Sequence, residues 1–355
     1  VKHRILFALL FAVALVVAAC SGDNGGPATP SPRGAPPTSP PPQAANPFAG
    51  VPAIVKPDNF GWPREVKSSS GSTVAIKAKP ERIITLSVGH DEIALALVPT
   101  GRLVAVSSAT KNAAFSNVAD LVKGAATISR EPEAVLAQRP DLLFASSLLP
   151  ATLADAVSKA GIPVVQTELK NDHQDRINQI LLAGYIFGEE RRAQEFAREV
   201  DQRFTAVQAA VKSKPASARQ RVGSYTLFSD KLYTAGRLST EGAIIESAGG
   251  INVAAEAGLE RNPVISYESV ITMNPGVIII AQPPDSGEPF KKSLLANPLL
   301  AQTPAVKNGR VYLVDSRLFT TLSHYNVRGV EELAKILWPS DFAGKEFPPF
   351  SRPAQ

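Results

Sequence analysis

Beyond residue 20 the chain contains three histidines, His90, His173 and His324. All three fall in or beside segments predicted to be loops, which invites a bare-metal site built from imidazoles. They share no short spacing, and no carboxylate partner can be assigned to them. Three unrelated loop histidines are the simpler reading, and no metal site is expected. The run His90-Asp91-Glu92 has the residue types of a catalytic cluster. A strand-to-helix turn with Asp91 as N-cap accounts for it without any chemistry. The sequence has no G-x-S-x-G, H-E-x-x-H, P-loop or G-x-G-x-x-G. Catalysis, for example by a metal-dependent hydrolase, is therefore the rival class, and no enzyme is expected.

The remaining polar and aromatic residues suit recognition. Lys111, Arg237, Arg261 and Arg317 lie on predicted strand-end loops. There they can pair with the carboxylate or catecholate oxygens of an anionic chelate. Phe228, Tyr233, Phe319 and Tyr325 can supply flat apolar walls. His90, Asn112, Ser147, Leu148, Glu168, Gln282 and His324 complete the candidate ligand-binding set, of which half is expected to touch ligand. The net charge of +5 is modest and its bases are scattered. No basic stripe alternates with aromatics, so nucleic acid is not an expected partner.

The elements that must hold these residues read as strands alternating with helices. A hairpin is predicted over residues 60–79, turning at Ser70-Gly71. Buried strands follow at residues 82–87, 103–106, 142–144 and 164–165, with helices at 91–97, 133–139, 151–159 and 172–187. This spacing indicates parallel βα units. Residues 189–212 then place Ala193, Phe196, Ala197, Val200, Phe204, Val207 and Val211 on one face of an α-helix roughly 36 Å long. Glutamates begin that helix, lysines end it and Pro215 stops it. The pattern then restarts, with strands at 221–226, 277–280 and 311–314 and helices at 239–248, 266–273 and 327–338. Residues 227–232, 282–287 and 315–323 are predicted loops. Residues 133–144 align without gaps on 268–279, each a short helix, a proline and a buried strand, and residues 82–87 correspond to 221–226. Two lobes of one design, joined by the long helix, are expected. Ligands of open α/β sheets bind beyond the carboxyl ends of the strands, so facing lobes make a cleft.

At the start of the chain, Lys2, His3 and Arg4 precede an apolar run over residues 5–19 and then Cys20, the single cysteine. Such a run is short for a membrane span and suits a signal-peptide core. Val17-Ala18-Ala19-Cys20 resembles a bacterial lipobox, which implies cleavage before Cys20 and a diacylglycerol on its sulfur. Residues 21–57 are rich in Pro, Gly, Ser, Thr and Ala and lack the apolar content to offset ordering. They read as a tether with a reach of roughly 100 Å.

Taken in order, these features resemble the helix-linked substrate-binding proteins of ABC importers, which take up ferric siderophores, haem or cobalamin. The hairpin followed by Lys79-Pro80-Glu81-Arg82-Ile83-Ile84-Thr85-Leu86-Ser87 is similar to that family's opening. Residues 133–144, 265–280, Asn297-Pro298-Leu299 and Asn308-Gly309-Arg310-Val311-Tyr312 are similar to its later stretches. The resemblance spans residues 60–338. It implies an α/β protein of two Rossmann-like lobes with parallel-rich sheets, joined by one long α-helix, with the ligand cleft between lobes. The expected organisation is a signal peptide (1–20), tether (21–59), first lobe (60–188), linking helix (189–214), second lobe (215–342) and tail (343–355). The resemblance further implies a monomeric lipoprotein on the extracytoplasmic face of a bacterial membrane, anchored at Cys20. It would capture a ferric siderophore and deliver it to an ABC permease with a cytoplasmic ATPase. Iron would travel only inside the chelate, and no intrinsic cofactor is expected. Cobalamin or haem binding by the same fold is the alternative, and a non-transport adhesin is an alternative of another class. Haem importers of the family carry a Tyr ligand where this chain reads Lys123-Gly124-Ala125-Ala126-Thr127-Ile128, which disfavours haem. The family also presents an acidic residue on each lobe to permease arginines. Here Asp155 is the only carboxylate near the first position, and residues 318–324 contain none, so docking with little charge pairing is expected.

Overall fold

Two sheets form because two sets of short apolar runs are each flanked by helices. The computed structural model describes residues 46–353. The first set opens with an antiparallel hairpin of Arg64–Lys67 (β1) and Thr73–Ile76 (β2). Ile83–Ile84 (β3), Leu103–Val106 (β4), Ala126–Thr127 (β5), Leu142–Ser146 (β6) and Val164–Thr167 (β7) then make a parallel sheet of order β5-β4-β3-β6-β7. Ile83, Leu142 and Phe144 enter one core, while Ile84, Leu143 and Ala145 enter another on the opposite face. Burial on both faces is why these strands read as continuous hydrophobic runs. Chain order reverses between β3 and β6, and ligands of such sheets seat beyond the strand ends at that point.

The second sheet contains Arg221–Phe228 (β8), Lys231–Thr234 (β9), Ile251–Asn252 (β10), Val264–Ile265 (β11), Val277–Ile280 (β12) and Val311–Leu313 (β13), in the order β11-β9-β8-β12-β13 with β10 also on β8. β8 pairs in parallel with β10 and β12, and β12 with β13, while β9 pairs antiparallel with β8 and β11. The predicted loop at 227–232 is instead a tight hairpin. Ser229 and Asp230 both take positive φ, 49° and 60°, which matches a two-residue turn to the strand twist. β8 therefore continues to Phe228, and Thr226 faces Tyr233 across the ladder. The Pro-rich stretch after β12 is also shorter than expected. Pro284 starts the helix Pro284–Ala296, where its missing N–H costs no hydrogen bond.

The helix Glu190–Lys212 has 23 residues, about 35 Å of helix. It buries Ala193, Phe196, Ala197, Val200, Val207 and Val211. Each of the larger side chains contributes about 1.5–3 kcal/mol of transfer free energy. Phe204, on the same face, is only partly covered, and the His173 ring stacks on it at 3.7 Å. One end of the helix packs on His173–Phe187 and on Val88–Leu97 from the first lobe, the other on Asn326–Leu337 from the second. Gly184 permits the closest approach, since a Cβ there would lie 2.1 Å from that of Ala193. Charge pairs fix both ends. Arg64 and Arg102 hold Glu190 and Glu189, and Lys214 holds Asp341 at 2.7 Å.

Both ends of the described chain are more ordered than composition implies. Phe48 is fully buried, and Asn46 caps the turn Pro47–Gly50 while donating to the Pro57 carbonyl. Phe350, in the expected tail, packs on Phe196, His324 and Tyr325. In each case one aromatic anchors a Pro-rich segment because a distant part of the chain supplies its pocket. The lipobox at Cys20 and the tether before residue 46 lie outside the described residues.

Candidate functional site

His90, Asp91 and Glu92 belong to the helix Val88–Leu97, which starts at a Ser87 cap rather than at Asp91. Successive side chains on a helix turn by about 100°, so each meets a different neighbour. The His90 ring nitrogens lie 2.7 Å from Ser87 Oγ and 2.9 Å from Thr167 Oγ1. Burial lowers the His90 pKa to about 3, so the imidazole is neutral. Asp91 accepts from the Thr85 and Thr110 hydroxyls and from the Ser107 N–H, and burial still pushes its pKa well up. Glu92 accepts from the Asn117 backbone and side chain, both at 2.9 Å, and from the hydroxyls of Thr321 and Ser323. The last two belong to the segment entering the final helix of the second lobe. Arg176, equally buried, donates to the Leu322 and Ser323 carbonyls. Ser316 donates to the Ala114 carbonyl and Asn117 to that of Arg317. The lobes are thus joined by a seam of buried polar contacts, and the suspected catalytic cluster is part of that seam.

A ligand-sized space lies beyond the carboxyl ends of β8 and β12, a cavity of about 720 Å³. Ser224, Thr226 and Phe228 line it from alternate positions of β8, joined by Leu227 near the strand's end, while Tyr225 points the other way into the core. Tyr233 joins them from β9, Gln282 and Ser286 from beyond β12, and Thr320 from the segment before the seam. Phe115 reaches in from the first lobe and is about half exposed at 48%. Gln282 is fixed by a two-way bond, accepting from the Leu227 N–H at 3.0 Å and donating to its carbonyl at 3.1 Å. Glu241, in the first turn of the helix Thr240–Ser247, is 8% exposed and lines the wall beside Asn262. Burial raises its pKa. Among the described residues, no Lys, Arg or His lines this cavity.

Of the residues singled out in the sequence, Phe228, Tyr233 and Gln282 are on the cavity wall. Ser147 and Leu148 are exposed just beyond β6, and Leu148 at 82% is among the most exposed apolar side chains. Lys111 is turned away and donates to the Lys123 carbonyl, while Asn112 caps the Ala114 N–H. Glu168 is exposed, with its carbonyl taken by Gln179. The expected convergence of cations does not occur. Arg237 pairs with Glu260 at 3.7 Å, and Arg261 is exposed in a left-handed turn. Arg317 is forked onto Asp315 in a separate depression under Phe350 and Arg352. His90, Phe319, His324 and Tyr325 are buried, His324 between the rings of Phe196, Tyr325 and Phe350. Burial among arginines drives the His324 pKa well down. His173 bonds Asp201 at 2.9 Å. Among the described residues, no group of three or more His, Cys, Asp or Glu could hold a metal ion. Asp155 is exposed, whereas Leu318, Phe319, Thr321, Ser323 and His324, in the corresponding segment of the second lobe, are buried.

Sequence reasoning missed Phe115, Thr226, Glu241, Asn262 and Thr320. Period-two alternation along residues 224–228 carried a signal for Thr226. Glu241 had none, because a glutamate in a first helical turn is ordinary.

A model of the periplasmic binding protein family matches residues 83–318, and the chain belongs to that family. It is a substrate-binding protein of an ABC importer, and its relatives are transport-associated binding proteins rather than enzymes. It is 26% identical over 279 residues to the cobalamin-binding protein of Halobacterium salinarum, covering 78% of this chain and 73% of the relative. It is 26% identical over 317 residues to the ferric enterobactin-binding periplasmic protein FepB of Escherichia coli, covering 82% and 95%. The fold is that of the periplasmic heme-binding protein RhuT from Roseiflexus sp. RS-1, with a TM-score of 0.62 at 24% identity over 74% of this chain and 99% of that one. The lobes and the cleft at the strand ends agree with this class.

Proposed function

We propose that this protein captures a large chelate of low charge, in the first instance a corrinoid such as cobalamin, and presents it to an ABC permease. The observation that carries the reading is the cavity wall, which offers aromatics, hydroxyls and one buried carboxylate but no basic side chain. A multiply anionic ferric chelate would enter it without a counter-charge, and uncompensated buried charge costs several kcal/mol. A corrinoid offers flat apolar surface to Phe115, Phe228 and Tyr233, and amide groups to the hydroxyls and Gln282. The cobalamin-binding relative supports the same choice. An anionic ferric siderophore is the second reading, favoured by the ferric enterobactin-binding relative. It requires Arg261, next in sequence to the lining residue Asn262, to turn inward on binding. Any metal is then cargo held by the chelate.

Titration of the purified protein with cyanocobalamin, haem and a ferric tricatecholate tests the choice. Cyanocobalamin is expected to bind at least about tenfold more tightly than the tricatecholate, 1.4 kcal/mol. Phe228→Ala should weaken it by about 1–2 kcal/mol. Tight tricatecholate binding without cobalamin binding would establish the second reading instead. The proposal includes a lipid anchor at Cys20 and a monomeric binding protein. Cys20→Ser should move the protein from the membrane fraction to the soluble one, and normal processing with full membrane retention would count against the anchor.

A further inference from the structure

We infer that Glu241 is the charge selector of the cavity: it receives an N–H donor of the ligand, such as a primary amide or an ammonium group, and excludes anionic oxygens from that wall. The inference rests on the reading of the cavity as the ligand site. Glu241 is nine-tenths buried on a wall with no basic side chain. Asn262 lines the same wall. An ionised carboxylate has about four acceptor positions, which a ligand donor can fill. Ser224, Thr226, Ala235, Thr240 and Ala281 line the same cavity, and among the described residues Tyr233 is the only other titratable lining group. The small hydroxyl and alanine side chains leave room there for a ligand group and cannot neutralise the carboxylate themselves. A buried carboxylate without a cation is costly, and a donor carried in by the ligand removes that cost. While Glu241 is ionised, a carboxylate or catecholate arriving at the same point meets a like charge in a medium of low polarity, where repulsion is strong. Phe115 and Phe228 hold the ligand whatever its charge, and Glu241 sorts ligands by it.

The test is a set of ferric chelates that share a hydroxamate core and differ in charge, from cationic through neutral to anionic, with cyanocobalamin as a fourth probe. Dissociation constants are measured for the wild type, Glu241→Gln and Phe228→Ala, with thermal melts to confirm folding. The quantity read is the ratio of the anionic to the cationic chelate's dissociation constant. It should be large for the wild type and fall by about tenfold or more in Glu241→Gln, a variant that keeps the size of the side chain and removes its charge. Phe228→Ala should weaken every probe and leave that ratio alone. An unchanged ratio in Glu241→Gln, with all probes still weakened by Phe228→Ala, would overturn the selector and leave the cavity reading standing. Indifference of every probe to Phe228→Ala would overturn the cavity reading itself.

Discussion

Glu92 accepts four hydrogen bonds, two from Asn117 and one each from Thr321 and Ser323, and burial nevertheless raises its pKa. The charged form is therefore more costly in the folded state than in the unfolded chain. A raised folded pKa means that the associated stability is complete below the ordinary glutamate range and is lost as pH rises through the folded pKa. Glu92→Gln removes that dependence while the Thr and Ser hydroxyls, which can rotate to accept, keep their partners. Thermal melts should show the variant gaining on the wild type as pH rises from the glutamate range to neutrality. A difference that stays constant with pH would mean that Glu92 does not titrate in this window. Glu92→Ala, which strands the donors, should cost at least about 3 kcal/mol at any pH. The same residue marks a limit of sequence reading. His90-Asp91-Glu92 gives the chemistry of the side chains but not their directions, and the partners of Glu92 lie as far as 231 positions away. Phe228, Tyr233 and Gln282 lie on the cavity wall, whereas Phe319 and Tyr325 are buried and Asn112 caps a turn, so residue type at a strand end does not by itself separate wall from core. The arginines were not legible, because any exposed carboxylate nearby can take them out of the cleft, as Glu260 and Asp315 do.

At the level of elements the repeat was readable, and the structure extends it to single atoms. Ile83 pairs with Leu142 in the first sheet and Val222 with Val277 at the corresponding place in the second. Arg82 donates to the carbonyls of Gln138 and Arg139, and Arg221 to those of Met273 and Asn274. Arg139 and Asn274 both sit in the left-handed region, at φ 47° and 48°, just before their prolines. The repeated unit is thus a helix whose last carbonyls are capped by an arginine from the neighbouring strand. Asn tolerates that backbone well, while Arg139 depends on the hydrogen bond to its carbonyl. The elements misread from sequence have two causes. The ordered termini depend on distant aromatic partners, which local composition does not encode, whereas the 227–232 hairpin and the helix at Pro284 are local elements hidden in residues typical of loops.

For the molecule as a whole, the linking helix is one of three devices opposing lobe motion. The second is the polar seam, where Glu92 and Arg176 grip residues 321–323 from the first lobe and the helix leading out of it. The third is the C-terminal segment. Ser351 bonds Arg192 and Glu199, and Arg203 donates to the Pro348 carbonyl, all three partners lying on the linking helix. Phe350 meanwhile plugs the gap beside His324 and Tyr325. Wide hinge closure would have to break the buried hydrogen bonds of the seam, at about 1–3 kcal/mol per stranded group, and to pull Phe350 from its aromatic contacts. Ligand binding can supply little of that without losing affinity. X-ray scattering with and without cyanocobalamin should therefore differ by less than about 0.5 Å in a radius of gyration near 19 Å. Truncation after Phe342 removes the third device alone. It should lower Tm by about 3–5 °C through loss of the Phe350 and Phe347 packing. It should also leave the ligand-induced change small, because the helix and seam remain. A large compaction on binding in the full chain would show that the seam opens. The same compaction only after truncation would assign the restraint to the C-terminal segment rather than to the helix.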